Sequence, residues 1–92
     1  ERSIKKNLVI NIMIKKIIKN EILKILPNFK FTKKYRLVSD GHLDSFNILI
    51  LISSLEKNFN VKINLKNFDI KNLEDLIKIE KLIKKLKKNN DR

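Results

Sequence analysis

The chain has no cysteine and only one histidine, and both shortages restrict the chemistry available to it. Without cysteine it has no disulfide framework, no thiolate metal site and no cysteine nucleophile. A lone His42 cannot form a multi-histidine metal site, and it makes no convincing catalytic dyad without help from elsewhere. We therefore expect that the chain is not an enzyme.

Glycine and proline are also scarce, with one residue of each among the 92. A chain so poor in turn-forming residues, and so rich in runs of Ile, Leu and Lys, favours helices over a turn-rich β fold. Its length suits one domain with a modest core, and 42% hydrophobic residues are enough for folding. We predict an all-α fold, a small bundle of three main helices plus one short helix, with a long loop between helix 1 and helix 2.

Long hydrophobic runs are absent as well. The apolar stretch at residues 8–14 is too short to span a bilayer, and Lys15 and Lys16 end it. No small-residue cleavage site follows this stretch, which argues against a signal peptide. We expect a monomeric cytoplasmic protein without stable membrane insertion.

Charge of one sign is abundant, because the formal net charge is +12 at pH 7. The basic excess lies in residues 1–36 and 84–92, whereas residues 37–83 are nearly neutral. Such clustered charge supports a competing hypothesis, in which a basic helical protein binds nucleic acid or an anionic membrane surface.

The first predicted helix covers about residues 10–26, where isoleucines recur on one arc at the helical period, and lysines and Asn20 lie around the rest. The isoleucines on the arc are Ile10, Ile14, Ile17, Ile18, Ile22 and Ile25. Glu21 is an intruder on the apolar side of this helix. Pro27 ends the helix because proline disfavours helical backbone at the residue before it.

The next segment, residues 28–43, lacks a sustained period, and we predict that it forms the long loop. Phe29, Phe31 and Tyr35 alternate there with lysines. Such aromatic residues could stack on nucleic-acid bases. We favour a structural use, in which they anchor the loop to the core.

A second helix is predicted for residues 45–58. Asp44 suits the N-cap position because its carboxylate can accept hydrogen bonds from the free N–H groups of the first turn. Gly41 eases the chain into that turn. An Asp-Ser pair at a helix start is by itself most often only a cap.

The second helix has too many apolar residues for one face. An inward stripe comprises Ile48, Leu51, Ile52, Leu55 and Phe59. Phe46, Leu49 and Ile50 point another way, close to the angular position of Ser45. This spare stripe either packs against the long loop or is offered to a partner.

The remainder of the chain reads as a connector and a last helix. Residues 59–63 alternate apolar and polar positions like an extended connector, and residues 66–69 could form one helical turn. The last helix is predicted to begin at Asn72, with Asp75 in a capping-box-like arrangement, and to continue to Leu86.

Two segments together resemble a known family. The sequence DGHLDSFNILILISSLEKNFNVKI at residues 40–63, followed by NFDIKNLEDLIKIEKLI at residues 67–83, is similar to acyl and peptidyl carrier proteins. The resemblance covers about residues 10–86. It divides the chain into an N-terminal extension at residues 1–9, a carrier domain at residues 10–86 and a basic tail at residues 87–92.

The family signature is Asp-Ser followed by Phe or Leu at the head of the second helix. The helix then leaves through a pattern of the Glu-x-x-Phe-x-Val-x-Ile kind. That exit is matched here by Glu56, Phe59, Val61 and Ile63. The Leu-Asp-Ser-Phe variant at residues 43–46 is most similar to aminoacyl carriers of the D-alanyl type.

The resemblance implies that Ser45 carries a covalent 4′-phosphopantetheine as a phosphodiester, whose terminal thiol holds an acyl or aminoacyl group as a thioester. It implies that Asp44 helps the modifying transferase to position its metal and the serine hydroxyl, and that Phe46 lies on the docking face. Other candidates for partner contact are Leu49, Ile50 and His42. A helix N-terminus favours a phosphate, and the cofactor would bring the reactive thiol that the chain lacks.

The implied partners are a phosphopantetheinyl transferase, an acyl- or aminoacyl-activating ligase, and a downstream transferase or synthase, with no nucleic acid. Family members are usually acidic along the second helix, whereas here Glu56 is opposed by Lys57. We therefore expect partners to be recognised by apolar contact and shape, in a specialised biosynthetic pathway. A carrier-like fold used as a structural subunit without the arm is a further alternative.

Overall fold

A computed structural model describes the backbone of residues 2–90 and the side chains of residues 6–88. Within this part of the chain the α-helices are α1 (Arg2–Ile25), α2 (Ser45–Phe59) and α3 (Leu76–Asn90). A 3₁₀ helix, Ile70–Leu73, precedes α3, and no strand occurs among the described residues. The predicted all-α bundle of three main helices and one short helix, with a long loop after the first, is confirmed.

Helix α1 is longer than predicted. It begins at Arg2 rather than near residue 10, because residues 2–9 contain no glycine or proline that would interrupt a helix. The segment predicted as an extension is therefore continuous with α1 from residue 2 onward. Ile10, placed on the apolar arc by its spacing, is exposed, because α1 is buried in the core only from Ile14 onward.

Helix α2 matches its prediction closely. The predicted inward stripe comprises the five residues of α2 that are buried, Ile48, Leu51, Ile52, Leu55 and Phe59. Asn60 ends the helix in a left-handed conformation, and its N–H donates to the carbonyl of Glu56. The carboxylate of Glu56 accepts the N–H of Ile63 at 2.8 Å, so this side chain fixes the exit from the helix.

The segment before α3 departs from the prediction. Residues 66–69 are not helical, and Asp69 instead caps the 3₁₀ helix by accepting the N–H of Lys71 at 2.9 Å. Helix α3 starts at Leu76 rather than at Asn72, and Asp75 accepts the N–H of Lys78 at 2.8 Å. The Asp75 carboxylate thus caps the start of α3, but the helix begins about one turn later than the sequence predicted. Of the predicted basic tail, residues 87–90 belong to α3, and residues 91 and 92 lie outside the described part.

The aromatic residues of the long loop pack on one another. The ring centroid of Phe29 lies 4.9 Å from that of Phe31 and 5.4 Å from that of Tyr35, and the rings of each pair are nearly perpendicular. All three side chains are half-buried, and the Tyr35 hydroxyl accepts the N–H of Leu76 at 3.2 Å. The prediction that these aromatic residues anchor the loop is confirmed.

Glu21 connects α1 to α2. Its carboxylate is buried, accepts a hydrogen bond from the Ser54 hydroxyl, and accepts another from Lys24 Nζ at 2.9 Å. The hydrogen bond from Ser54 and the interactions with Lys24 outweigh the effect of burial and lower the pKa of Glu21 below its ordinary value. The apparent intruder on the apolar side of α1 is therefore satisfied by α2.

Candidate functional site

The start of α2 is built around the side chain of Asp44. This residue has extended backbone angles, and its carboxylate accepts the N–H of Asn47 at 2.7 Å. The Asp44 carbonyl accepts the N–H of Ile48 at 2.9 Å, the first hydrogen bond of the helix. Asp44 is therefore an N-cap, as its position in the sequence predicts.

Ser45 is the first residue of this helix and is exposed. The first N–H groups of a helix have no partner within it, and the helix dipole adds partial positive charge at the same end. A phosphate on the Ser45 oxygen would therefore find hydrogen-bond donors and a favourable field nearby. The exposed hydroxyl is accessible to a modifying enzyme, so the local chemistry fits a phosphodiester at this residue.

The turn that leads into α2 depends on Gly41. Its φ of 79° lies in the left-handed region, and its N–H donates to the carbonyl of Val38 at 3.0 Å. A Cβ at this position would meet no atom within 4 Å, so the backbone angle rather than lack of space favours glycine. Leu43 follows as a buried residue whose N–H donates to the carbonyl of Leu37 at 2.9 Å.

Glu74, which lies just before α3, accepts hydrogen bonds from the same turn, a role that was not predicted from the sequence. One oxygen of its buried carboxylate accepts the N–H groups of Val38 at 2.8 Å and Ser39 at 3.0 Å, and the other accepts the Ser39 hydroxyl. Its carbonyl accepts the N–H of Leu37 at 2.8 Å. In the sequence Glu74 is only one of two adjacent acids, Glu74 and Asp75, and spacing alone does not identify its distant partner.

The pKa of Glu74 reflects this arrangement. Burial acts to raise it, but the hydrogen bonds from Ser39 and from the N–H of Val38, together with the positive charge of Arg36, outweigh burial. The pKa of Glu74 therefore lies below its ordinary value. The carboxylate is charged at neutral pH and is hydrogen-bonded to the segment that leads to Ser45.

The spare stripe of α2 is exposed. Phe46 is 70% exposed, Leu49 is 54% exposed and Ile50 is 39% exposed, so they do not pack into the core or under the long loop. Leu49 and Ile50 also line a shallow depression between α2 and α1, to which Lys24 and Lys57 contribute. An exposed apolar surface therefore begins beside Ser45 and continues along α2.

His42 lies in the loop before α2, as predicted, and is exposed. Its ring meets that of Phe29 edge-on, with 4.9 Å between the centroids. This contact ties the segment just before Ser45 to the aromatic residues of the loop. A partner or cofactor contact by His42 stays a prediction.

A larger cleft lies elsewhere, between α1, the long loop and the start of α3. It has a volume of about 900 Å³ and does not include Ser45. Its walls carry Lys15, Lys19, Lys33, Lys34 and Arg36 beside Phe31 and Tyr35. Among the residues that the structure describes, no group of three or more His, Cys, Asp or Glu side chains could hold a metal ion.

No family model, curated protein or solved structure matches the chain. The structure does bring the predicted residues together: Asp44, Ser45 and Phe46 form the exposed start of α2, and Leu49 and Ile50 follow on the next turn. His42 lies just before this start and faces the loop aromatics rather than the apolar stripe.

Proposed function

We propose that the chain is a carrier protein of the acyl and peptidyl carrier type, with Ser45 as the attachment site for 4′-phosphopantetheine. The observation that carries this proposal is an exposed serine on the first residue of a capped, 15-residue helix. The order of helices, with a long loop before that helix and a short 3₁₀ helix before the last, agrees with such a fold.

The chain's own residues would bind and orient the attached group. Asp44 fixes the first turn of α2, Gly41 and Glu74 fix the approach to it, and the N–H groups of the first turn would interact with the phosphate. When bound, the arm supplies a thiol that holds an acyl or aminoacyl group as a thioester. Activation and transfer of that group belong to partner enzymes.

The side chains exposed beside Ser45 indicate what kind of partner surface would bind there. Phe46, Leu49 and Ile50 are exposed, whereas the one acid within α2, Glu56, is engaged with the N–H of Ile63. A partner would therefore meet apolar side chains and Lys57 rather than a row of free carboxylates. We expect recognition by apolar contact and shape, with little loss of binding as salt increases.

The competing function, binding of nucleic acid, has one supporting observation in the cationic cleft beside Phe31 and Tyr35. The rings of that loop are half-buried against each other, which leaves less aromatic surface for base stacking. Binding of single-stranded nucleic acid that weakens steeply with salt, and is lost in a Lys19→Glu and Lys34→Glu double variant, would favour this function over the carrier.

The deciding experiment is intact-protein mass spectrometry after incubation with coenzyme A, Mg²⁺ and a promiscuous phosphopantetheinyl transferase. We expect one added phosphopantetheine, mapped to Ser45 by peptide fragmentation. Ser45→Ala should keep its helical circular dichroism spectrum and add nothing.

Ser53→Ala is the matched control, because Ser53 is an exposed serine of the same helix, and this variant should be modified like the wild type. Addition to Ser45→Ala would place the site elsewhere. A folded wild type that several transferases leave unmodified would favour the structural-subunit alternative.

A further inference from the structure

The first half of α1 exposes an unusual amount of apolar surface. Leu8 is 58% exposed, Val9 is 53% exposed, Ile12 is 58% exposed and Met13 is 57% exposed, all within about two helical turns. No residue from position 6 to position 13 is buried. Contiguous exposed apolar side chains of this kind mark interaction surfaces.

The part of α1 around these residues carries positive charge. Lys6 precedes the apolar group, and Lys15 and Lys16 follow it, all of them exposed. No acidic residue occurs in α1 before Glu21. The apolar group is thus bracketed by lysines within one helix.

Helix α3 brings further lysines to the same end of the bundle. Lys15 Nζ lies 3.9 Å from a Glu80 carboxylate oxygen, while Lys19 shares a cleft with Leu76. In these two pairs the residue number decreases along α1 as it increases along α3, so the two helices are antiparallel. The second half of α3 therefore runs towards the first half of α1. The lysines in that half of α3 are Lys84, Lys85, Lys87 and Lys88.

We propose that this end of the bundle, defined by Leu8, Val9, Ile12 and Met13 with the lysines around them, docks on the surface of an anionic lipid bilayer. The apolar side chains would enter the boundary between headgroups and acyl chains, while the lysine ammonium groups meet lipid phosphates. In the described part of the chain no helix is long and apolar enough to cross a membrane, so the contact is interfacial.

Charge favours a lipid surface over a second copy of the chain as the occupant. Each copy has a formal net charge of +12, and self-association through this end would bring the lysines of two copies together. An anionic bilayer gives the same lysines an opposite charge. Charge and apolar burial then act in the same direction.

The proposed docking end lies far from Ser45. Ile25, the last residue of α1, lines one depression together with Asn47 of α2, so α2 begins beside the end of α1. From Met13 to Ile25 the α1 axis advances ~18 Å. A chain docked through its apolar end would therefore hold Ser45 away from the lipid, and docking and arm attachment are independent of each other.

The test uses the full, unmodified chain and vesicle flotation. We expect binding to vesicles that contain phosphatidylglycerol, weaker binding to pure phosphatidylcholine, and a loss of affinity as sodium chloride rises from about 0.1 M to about 0.5 M. A Leu8→Gln and Ile12→Gln double variant should bind the anionic vesicles at least roughly tenfold more weakly, with an unchanged circular dichroism spectrum.

Leu65→Gln is the matched control, because Leu65 is also 58% exposed but lies in the connector after α2. It should bind like the wild type. Absence of binding to anionic vesicles would overturn the proposal, and so would equal binding by the double variant. A wild type that instead dimerises in analytical ultracentrifugation, with the double variant monomeric, would assign the surface to a second copy.

Discussion

At the scale of single residues, the side chain of Asp44 has a structural use that does not depend on any modification. Its carboxylate accepts the N–H of Asn47, which satisfies one of the free donors at the start of α2. The proposed function gives the same carboxylate a second use, in positioning the metal of a transferase. The two uses depend on different properties, because capping needs an oxygen acceptor and metal positioning needs negative charge.

Two substitutions at this position separate the two uses. Asp44→Ala should lower the free energy of unfolding by ~1 kcal/mol, whereas Asp44→Asn should change it by a few tenths, because Asn is as good an N-cap as Asp. Urea unfolding measures both. If the carboxylate also serves the transferase, phosphopantetheine should be added to Asp44→Asn more slowly than to the wild type. Equal rates for Asp44→Asn and the wild type would limit Asp44 to capping.

At the scale of the element, α2 has two apolar faces with different surroundings. The face predicted to point inward is buried, and Leu51 and Leu55 are fully so, whereas Phe46 and Leu49 are more than half exposed. Removing exposed atoms leaves no cavity, while removing buried atoms does. The same kind of truncation therefore distinguishes a packing role from a binding role.

We expect Phe46→Ala and Leu49→Ala to change the free energy of unfolding by less than ~0.5 kcal/mol and to slow the addition of phosphopantetheine by the transferase. Leu51→Ala on the inward face should cost ~2–5 kcal/mol. Chemical denaturation and the rate of phosphopantetheine addition give the two readouts. A large stability loss for Phe46→Ala with an unchanged rate of phosphopantetheine addition would assign that residue to packing.

The helices also show what the sequence can predict. The start and the buried face of α2 were predictable because a cap and its helical period lie within a few residues of each other. The start of α1 was not, because the regular apolar arc begins only at Ile10, while residues 2–9 contain no glycine or proline that would end the helix before it. The start of α3 was displaced because Glu74, which the pattern placed inside the helix, bonds to Leu37, Val38 and Ser39 instead.

At the scale of the whole molecule, two buried carboxylates join segments that are distant in the chain. Glu21 bonds to Ser54 across α1 and α2, and Glu74 bonds to Ser39 across the loop and the 3₁₀ region. Neither pairing could be predicted, because nothing local in the sequence specifies a partner more than thirty positions away. The candidate site is accordingly only half predictable: the position of Ser45 is a local feature, and the support under it is a tertiary one.

The buried carboxylates of Glu21 and Glu74 make the free energy of unfolding depend on pH. Both pKa values lie below the ordinary 4.5, so both groups stabilise the fold above about that pH and lose this effect as the pH falls through the folded-state values. We expect the free energy of unfolding, measured in urea, to decline below about pH 4.5. Glu74→Gln should be less stable at pH 7 by ~1–3 kcal/mol and should show a shallower decline. An unchanged slope in that variant would mean that other groups control the acid sensitivity.

Tyr35, whose hydroxyl is hydrogen-bonded to Leu76, gives the molecule an intrinsic fluorescent probe. Tyr35 is the one tyrosine, and the chain has no tryptophan, so near-ultraviolet fluorescence arises chiefly from a single ring. That ring lies where the long loop meets the start of α3. Its emission therefore reports the attachment of the loop, separately from the far-ultraviolet signal of the helices, without the introduction of any dye.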